Sequence, residues 1–399
     1  MKNILLYYSF SFSFGGGEHL PLSLIAALQN SCNLTVALDM ADNLERAARV
    51  FDIPIDMSRL QVVQVTPPGY APNKHNAFVS LYRARQLQKL AKNADVCIST
   101  ANIIDFGKPA HHFINMLAFG DDAFTAYVLN HAVPVREKAS ARIKRFFLET
   151  VVRPILGMRT KKSIICDRRE HVYPNSQFVE KLMTDFYGPF NSHVFYPPTL
   201  FETKSEDAFL RDPLKIVYIG RIIPEKRITE LIEIVEKVRL VTGLPVTFHL
   251  AGRLDQTPSY GEKLRKMAKE RDWLFFDGAL YGEAKERFLL SGTYALHAER
   301  DEAFGISVAE YLKSGNIAIV PDEGGACEVV NNSALTYRTN EDAVAILKQL
   351  LADERFRNVQ KAYCTERAKL FSRKAYFERQ NELLQLIVGD GLSEKPLFN

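Results

Sequence analysis

A short segment in the second half of the chain carries residue types that suit a diphosphate. It reads Gly220-Arg221-Ile222-Ile223-Pro224-Glu225-Lys226 and directly follows an apolar run. Arginine offers a planar fork of hydrogen-bond donors and lysine a point charge, and both neutralise phosphate oxygens. Ligands of open α/β sheets bind beyond the carboxyl ends of the strands, so this position suits Arg221 and Lys226 for holding a diphosphate.

A second segment, from His297 to Val330, contains two glutamates with seven residues between them, Glu302 and Glu310. Between them lies Phe304-Gly305, and a helix is predicted to start near Ser307. The start of a helix presents backbone N–H groups and the positive end of its dipole, which favour a diphosphate. Carboxylates accept several hydrogen bonds and therefore suit sugar and ribose hydroxyls. The segment predicts a nucleotide-sugar site.

The two segments together resemble those of glycosyltransferase family 4, retaining enzymes of the GT-B fold. That family has Gly-Arg and a later Lys after a strand, and Glu-x7-Glu with Phe-Gly between the glutamates. The resemblance implies that Arg221 and Lys226 hold the diphosphate, that Glu302 contacts the transferred sugar and that Glu310 holds the ribose. It also implies donor contacts from Gly220, Phe304, Gly305 and Ile306. Gly324-Gly325 resembles a later glycine pair of the family.

The N-terminal half resembles the same family more weakly. Gly15-Gly16-Gly17 precedes Glu18, as in lipid-linked mannosyltransferases, which implies that Gly16 and Gly17 lie near the donor phosphates. The alternative is a simple tight turn. His131 follows a predicted strand at a place where related enzymes carry a histidine near the reacting sugar, which implies a catalytic role. A structural histidine is the alternative, and the sequence leaves it open.

Short apolar runs alternate with helical patterns in both halves, which is typical of parallel sheets covered by helices. We predict an α/β protein of the GT-B type, with two Rossmann-like doubly wound domains facing across a cleft. The predicted boundaries are 1–199 for an acceptor-binding domain, 200–213 for a linker, 214–371 for a nucleotide-sugar-binding domain and 372–399 for a helix crossing back to the first domain. Predicted strands of the first domain are Asn3–Ser9, Asn33–Leu38, Arg59–Val65, Asp95–Ser99 and Ala126–Asn130.

Composition restricts the classes of protein. The 399 residues carry a formal net charge of +4, with 47% hydrophobic and 25% charged residues, an ordinary globular balance that does not indicate nucleic acid. The five cysteines include no CxxC pair, which argues against zinc and a disulfide framework. The apolar run Ile4–Tyr8 is too short for a signal peptide, and no run reaches the length of a membrane span. We therefore expect a cytoplasmic protein.

The basic stretch 136–169 also contains apolar residues such as Phe147. One interpretation is an amphipathic surface that binds anionic lipid, which would place the protein peripherally on the inner face of the membrane. A solvated helical face and a site for an anionic acceptor are the alternatives.

The predicted function is transfer of a hexose, with retention, from a GDP- or UDP-sugar to a glycan or lipid-linked acceptor, in cell-surface polysaccharide or glycolipid biosynthesis. No Asp-x-Asp is placed to hold a metal, so we expect no metal and no cofactor besides the nucleotide sugar. A sugar-nucleotide epimerase of the same two-domain fold and a non-catalytic nucleotide-sugar-binding protein are the alternatives.

Overall fold

A computed structural model describes residues 1–8, 16–40, 44–67, 69, 77–100, 103–115, 124, 128, 147, 151–199, 201–203, 211–254 and 256–389. The chain divides into two compact units. The first comprises Met1–Pro198 together with the chain from Phe377 on, and the second comprises Thr199–Tyr376. The predicted linker 200–213 thus begins beside the junction of the two units.

The first unit contains a parallel sheet with the strand order β3-β2-β1-β4-β5-β6. Strand β1 pairs in parallel with β2 on one side and with β4 on the other. In β1, all residues after Asn3 are buried, as expected for a parallel strand covered on both faces. The strands are β1 Asn3–Tyr8, β2 Asn33–Leu38, β3 Leu60–Gln64, β4 Val96–Ser99, β5 His111–Ile114 and β6 His171–Pro174.

Helices connect these strands and cover the sheet. Ser176 starts α6 by accepting a hydrogen bond from the backbone N–H of Val179 at 3.0 Å, which satisfies one of the donors left open at a helix start. The helices are α1 His19–Leu28, α2 Leu44–Val50, α3 Ala77–Ala91, α4 Arg153–Ile155, α5 Lys161–Ile165 and α6 Gln177–Tyr187.

The second unit repeats this topology, with the strand order β12-β11-β10-β7-β8-β9. Its strands are β7 Asp212–Ile219, β8 Thr247–Ala251, β9 Leu274–Gly278, β10 Gly292–Leu296, β11 Ile317–Pro321 and β12 Thr336–Tyr337. Strand β7 pairs in parallel with β8 on one side and with β10 on the other. The carboxyl ends of β7 and β10 therefore form the point at which the strand order reverses, where ligands of such sheets bind.

The helices of the second unit bury apolar faces against its sheet. Leu231, Ile232 and Val235 of α7 are fully buried. The helices are α7 Ile228–Thr242, α8 Pro258–Lys269, α9 Gly282–Ser291, α10 Ile306–Lys313, α11 Gly324–Val330, α12 Asn340–Ala352, α13 Glu354–Ala368 and α14 Arg373–Val388. From Phe377 on, α14 groups with the first unit, where the Gln380 side chain donates to the carbonyl of Ser23 at 3.0 Å.

The structure contradicts one strand predicted for the first unit, as far as its residues are described. Val128, inside the predicted strand Ala126–Asn130, is helical, and the other residues of that segment lie outside the described residues. The strand beside β4 is instead β5, His111–Ile114, and β6 follows it. These strands have four residues each and begin with a histidine, so they lack the apolar run on which the prediction depended.

Candidate functional site

The loop between β10 and α10 is shaped by Gly305. This residue has φ of +97° and stands immediately before α10, in the left-handed region that favours glycine. Phe304 beside it is buried, and its ring lies 5.9 Å from that of Phe371, which anchors the loop. The first turn of α10, beginning at Ile306, is thus held at the edge of the sheet with the positive end of the helix dipole turned to the loop.

The glycine pair at the start of α11 allows this loop to pack closely. A Cβ on Gly324 would lie 2.3 Å from the carbonyl oxygen of Arg300, and one on Gly325 would lie 2.3 Å from that of Ala303. The Gly325 N–H donates to the carbonyl of Glu302 at 2.7 Å. Side chains at these positions would push the loop, and with it Glu302, out of place.

The turn after β7 is fixed by two tyrosines. The Tyr311 hydroxyl, from α10, accepts from the N–H of Ile219 at 2.8 Å and lies 3.2 Å from its carbonyl oxygen. The Tyr218 hydroxyl donates to the carbonyl of Arg221 at 3.1 Å and fills the space beside Gly220. The side chain of Arg221 is exposed, and no partner for its guanidinium occurs among the described residues. The turn presents a cation at the carboxyl end of β7.

The ammonium of Lys226 connects this turn to the loop after β10. It donates to the carboxylates of both Glu299 and Glu302. The three side chains are largely buried, at 11% exposed for Lys226 and 19% for each glutamate. The structure thus brings together Lys226 and Glu302, which the sequence predicts as site residues 76 positions apart.

His297 is a buried neighbour of this group. Its side chain is 1% exposed, its Nε2 lies 3.6 Å from the Glu302 carboxylate, and neither ring nitrogen forms a hydrogen bond with a described residue. Burial lowers the pKa of His297 to about 4, although the Glu302 carboxylate opposes this shift. His297 is therefore neutral at neutral pH.

The two glutamates differ in their ionisation. Burial and the neighbouring Glu302 carboxylate raise the pKa of Glu299 to about 7, against the opposing effect of Lys226. For Glu302, burial acts upward as well, but Lys226 and His297 outweigh it and lower the pKa. Near neutrality Glu302 is the carboxylate of the pair, and Glu299 lies close to its midpoint.

Glu310 lies on α10, where it is 6% exposed. Its carboxylate accepts from the ammonium of Lys285, on α9, at 2.5 Å. That ammonium also lies 5.2 Å from the centre of the Phe201 ring, a cation–π distance. Glu310 is therefore held in one position and keeps acceptor capacity for a hydroxyl group.

Among the described residues, His297, Glu299 and Glu302 form one group whose possible metal-ligand atoms all lie within 4.8 Å of one another. The Lys226 ammonium already contacts both carboxylates, so a divalent ion would have to displace it. This donor set fits an ion-pair network around a lysine better than a metal site.

The remaining predicted site residues lie in the first unit. Gly16 and Gly17 form a 3-10 turn with Glu18, directly before α1 and after the carboxyl end of β1. His131 lies outside the described residues. Sequence reasoning missed Glu299, His297 and Lys285. The first two stand three and five positions before Glu302, and only their position at the end of a strand could have indicated them.

Residues 201–369 match the family model described as "Glycosyl transferases group 1", so the second unit carries a domain of this group. All of the site residues predicted in the second unit, from Gly220 to Glu310, lie within this segment. No curated protein matches the chain.

Solved structures similar to the chain have the GT-B fold. HepE of Anabaena, solved with UDP and glucose, superposes with a TM-score of 0.66 at 15% identity and covers 97% of this chain and 100% of its own. WaaG, a glycosyltransferase involved in lipopolysaccharide biosynthesis, gives 0.65 at 12% identity, with 97% and 100% coverage. Sucrose-phosphate synthase of Thermosynechococcus elongatus gives 0.65 at 14% identity, with 97% and 99% coverage. At these identities the likeness shows the fold: GT-B, with two Rossmann-like domains.

Proposed function

We propose that the protein is a retaining glycosyltransferase that moves a hexose from a nucleotide-diphosphate sugar to a glycan or lipid-linked acceptor. The observation that carries this proposal is the group formed by Lys226 and Glu302 between the carboxyl end of β7 and the start of α10. It lies within the group 1 domain, and HepE, which shares the fold, was solved with UDP-glucose. A UDP- or GDP-linked hexose is accordingly the donor class we propose.

The residues can perform this transfer mainly by electrostatics. As the bond between sugar and diphosphate breaks, negative charge grows on the leaving phosphate oxygen. Arg221, Lys226 and the N-terminal N–H groups of α10 are the donors that stabilise this charge. Glu302 accepts hydrogen bonds from the sugar hydroxyls and orients the sugar, while Glu310 accepts one from the ribose. The leaving diphosphate itself takes the proton of the acceptor hydroxyl in this scheme.

The test compares Arg221→Met and Lys226→Met with the wild type by measuring the rate of sugar transfer from donor to acceptor. Each variant removes one cation while keeping a side chain of similar length, so we expect transfer to fall by ~10²–10³. Lys237→Met is the matched control, because Lys237 is a surface lysine of α7 that pairs with Glu341 at 2.7 Å. Unchanged transfer in both site variants would refute the proposed roles.

Product analysis separates this function from its rivals. An α-linked product from an α-linked donor supports retention, whereas inversion contradicts that part of the proposal. Epimerised donor in the absence of acceptor would indicate an epimerase. Binding without release of nucleotide in the presence of any acceptor would indicate a binding protein. Full activity in EDTA is expected, because Lys226 and Arg221 take the place of a divalent cation in this scheme.

We also propose that the basic stretch 136–169 binds an anionic membrane surface. In its described part, Phe147 and Ile155 are 56% and 78% exposed, and the same stretch of sequence contains the exposed cations Lys162 and Arg168. Apolar side chains beside cations favour the boundary of anionic lipid. No helix among the described residues is long and apolar enough to cross a membrane. Ile155→Ser with Lys162→Ser should weaken co-sedimentation with phosphatidylglycerol vesicles, and equal binding to neutral vesicles would contradict the proposal.

A further inference from the structure

The ion-pair group at Lys226 contains one carboxylate more than the predicted site requires. Glu302 belongs to the Glu-x7-Glu pattern, whereas Glu299 lies in the same segment but outside that pattern. Nevertheless, Lys226 donates to Glu299 as it does to Glu302, and oxygen atoms of the two carboxyls lie within 4.8 Å of each other. Glu299 therefore needs a role of its own.

Repulsion between the two glutamates and a bound diphosphate would change this arrangement. With both glutamates ionised, the group carries two negative charges against one ammonium in a largely buried setting. A diphosphate at Lys226 adds further negative charge within a few ångströms, where unit charges interact strongly because solvent screening is weak. Neutralising one glutamate with a proton removes this repulsion and turns that glutamate from a competitor for Lys226 into a hydrogen-bond donor.

We propose that Glu299 is a positioning residue of the diphosphate subsite. As a carboxylate it holds Lys226 beside Glu302 in the absence of donor, and it takes up a proton from solvent when the diphosphate of a nucleotide or nucleotide sugar binds. This inference rests on the proposed function, because it assumes that Lys226 receives the diphosphate.

The surroundings of Glu299 select it as the proton acceptor. Among the described residues, the ionisable groups that face the pair are Lys226 from the turn after β7, His297 directly after β10, Tyr218 from β7 and Tyr311 from α10. Lys226 favours the ionised form of Glu302. Burial and the Glu302 carboxylate raise the pKa of Glu299 to about 7, so that it gains a proton readily near neutrality. The protonated carboxyl can then donate to Glu302 while Lys226 turns to the phosphate.

Calorimetric titration of the full-length protein with UDP, and with GDP, at pH 7.5 tests this inference. Repeating the titration in buffers of different ionisation enthalpy gives the number of protons bound with the nucleotide. Glu299→Gln cannot take up the proton, so the wild type should bind more protons than this variant, up to about three-quarters of a proton at pH 7.5 for a group with a pKa of about 7. The nucleotide's own phosphate titrates alike in both proteins, so the difference reports Glu299.

Glu225→Gln is the matched control, because Glu225 is an exposed glutamate next to Lys226 and its replacement removes the same charge. This control should keep the wild-type proton uptake. Equal uptake in the wild type and Glu299→Gln, with the nucleotide still bound, would overturn the role of Glu299 and leave the proposed function standing. A wild type that binds neither UDP nor GDP would instead overturn the proposed function, and this inference with it.

The wild type alone provides a second test that survives misfolding of the variant. The diphosphate of UDP-glucose or GDP-mannose is esterified at both ends and does not titrate near neutrality. Affinity for whichever of the two binds should therefore fall as pH rises from 7 to 8.5, by up to tenfold per pH unit above the pKa of Glu299. An affinity that stays constant over this range would contradict proton uptake.

Discussion

Glu310 offers a way to separate recognition of the nucleoside from recognition of the diphosphate. It lies on α10, paired with Lys285, whereas Lys226 pairs with Glu299 and Glu302. If Glu310 accepts a hydrogen bond from the ribose, Glu310→Gln should weaken UDP binding roughly tenfold, because hydrogen bonds to a charged acceptor contribute about 1.5–3 kcal/mol. Affinity for inorganic pyrophosphate, which has no ribose, should not fall.

Competition binding of both ligands to the variant checks this prediction. Glu341→Gln is the control, since Glu341 is a surface glutamate 71% exposed that pairs with Lys237. Equal losses for UDP and for pyrophosphate would place Glu310 at the phosphates or give it a purely structural role.

His297 predicts a pH dependence of stability. Burial lowers its pKa from 6.5 to about 4 in the folded protein. Below pH 6.5 the unfolded chain therefore binds a proton at this histidine that the folded protein does not bind. The free energy of unfolding is accordingly at its full value above pH 6.5 and falls as the pH is lowered towards 4. The loss amounts to about 3 kcal/mol.

Urea unfolding of the wild type and His297→Gln between pH 4 and 7.5 measures this effect. Because glutamine does not titrate, the difference in unfolding free energy between the two proteins should shrink as pH falls. Parallel curves over the whole range would show that the pKa of His297 is the same in the folded and the unfolded protein, which would contradict the prediction.

At the scale of elements, the start of α11 supports the loop that holds Glu302. Gly324 has φ of +79°, and a Cβ there would lie 2.3 Å from a backbone oxygen of that loop. Gly324→Ala should therefore lower the unfolding free energy by about 3 kcal/mol, in the range of strong steric defects, and weaken UDP binding as the loop shifts.

Gly243, at the end of α7, is the matched control, since its φ is +67° and nothing lies within 4 Å of the position of a Cβ. Gly243→Ala meets only the intrinsic penalty of a left-handed conformation, about 1 kcal/mol, and should leave UDP binding unchanged. Thermal unfolding with and without UDP measures both effects. Equal destabilisation by the two substitutions would show that the contact with Arg300 has no importance.

The same scale shows what could be predicted from the sequence. Strands rich in apolar residues, such as β1 and β2, are predicted to within one residue of their bounds, because a parallel strand that is covered on both faces needs such residues. Strand β5 was missed because two of its four residues are histidines. His112 is fully buried there because Glu170, 58 positions later, pairs with its Nε2 at 3.0 Å. No local pattern carries that information.

The site was predictable to a similar extent. Lys226 and Glu302 follow from motifs at the ends of β7 and β10, which the strand order makes neighbours. The contact of Glu299 with Lys226 depends on the path of the loop after β10, which Gly305 and Gly324 determine through close packing rather than through residue spacing. Its raised pKa depends on burial, which a sequence does not give.

At the scale of the whole molecule, the two units repeat one topology but use buried charge differently. In the second unit, ion pairs surround the proposed donor site. In the first unit, Arg159 pairs with Asp105 at 3.0 Å and with Glu170 at 2.7 Å, and Glu170 is fully buried. This group joins the segment before β5 to the segment before β6, so its role is structural.

Glu170→Gln tests this division of roles in the intact protein. The substitution leaves Arg159 paired with Asp105 but removes the charge that Arg159 and His112 share, so we expect a loss of about 2 kcal/mol, below the 3–5 kcal/mol of a fully broken buried pair. Urea unfolding measures this loss. UDP affinity should stay within about twofold of the wild type, since every residue assigned to the donor in the second unit is untouched. If UDP affinity fell in step with stability, the charge network of the first unit would belong to the binding machinery as well, and donor recognition could not be assigned to the second unit alone.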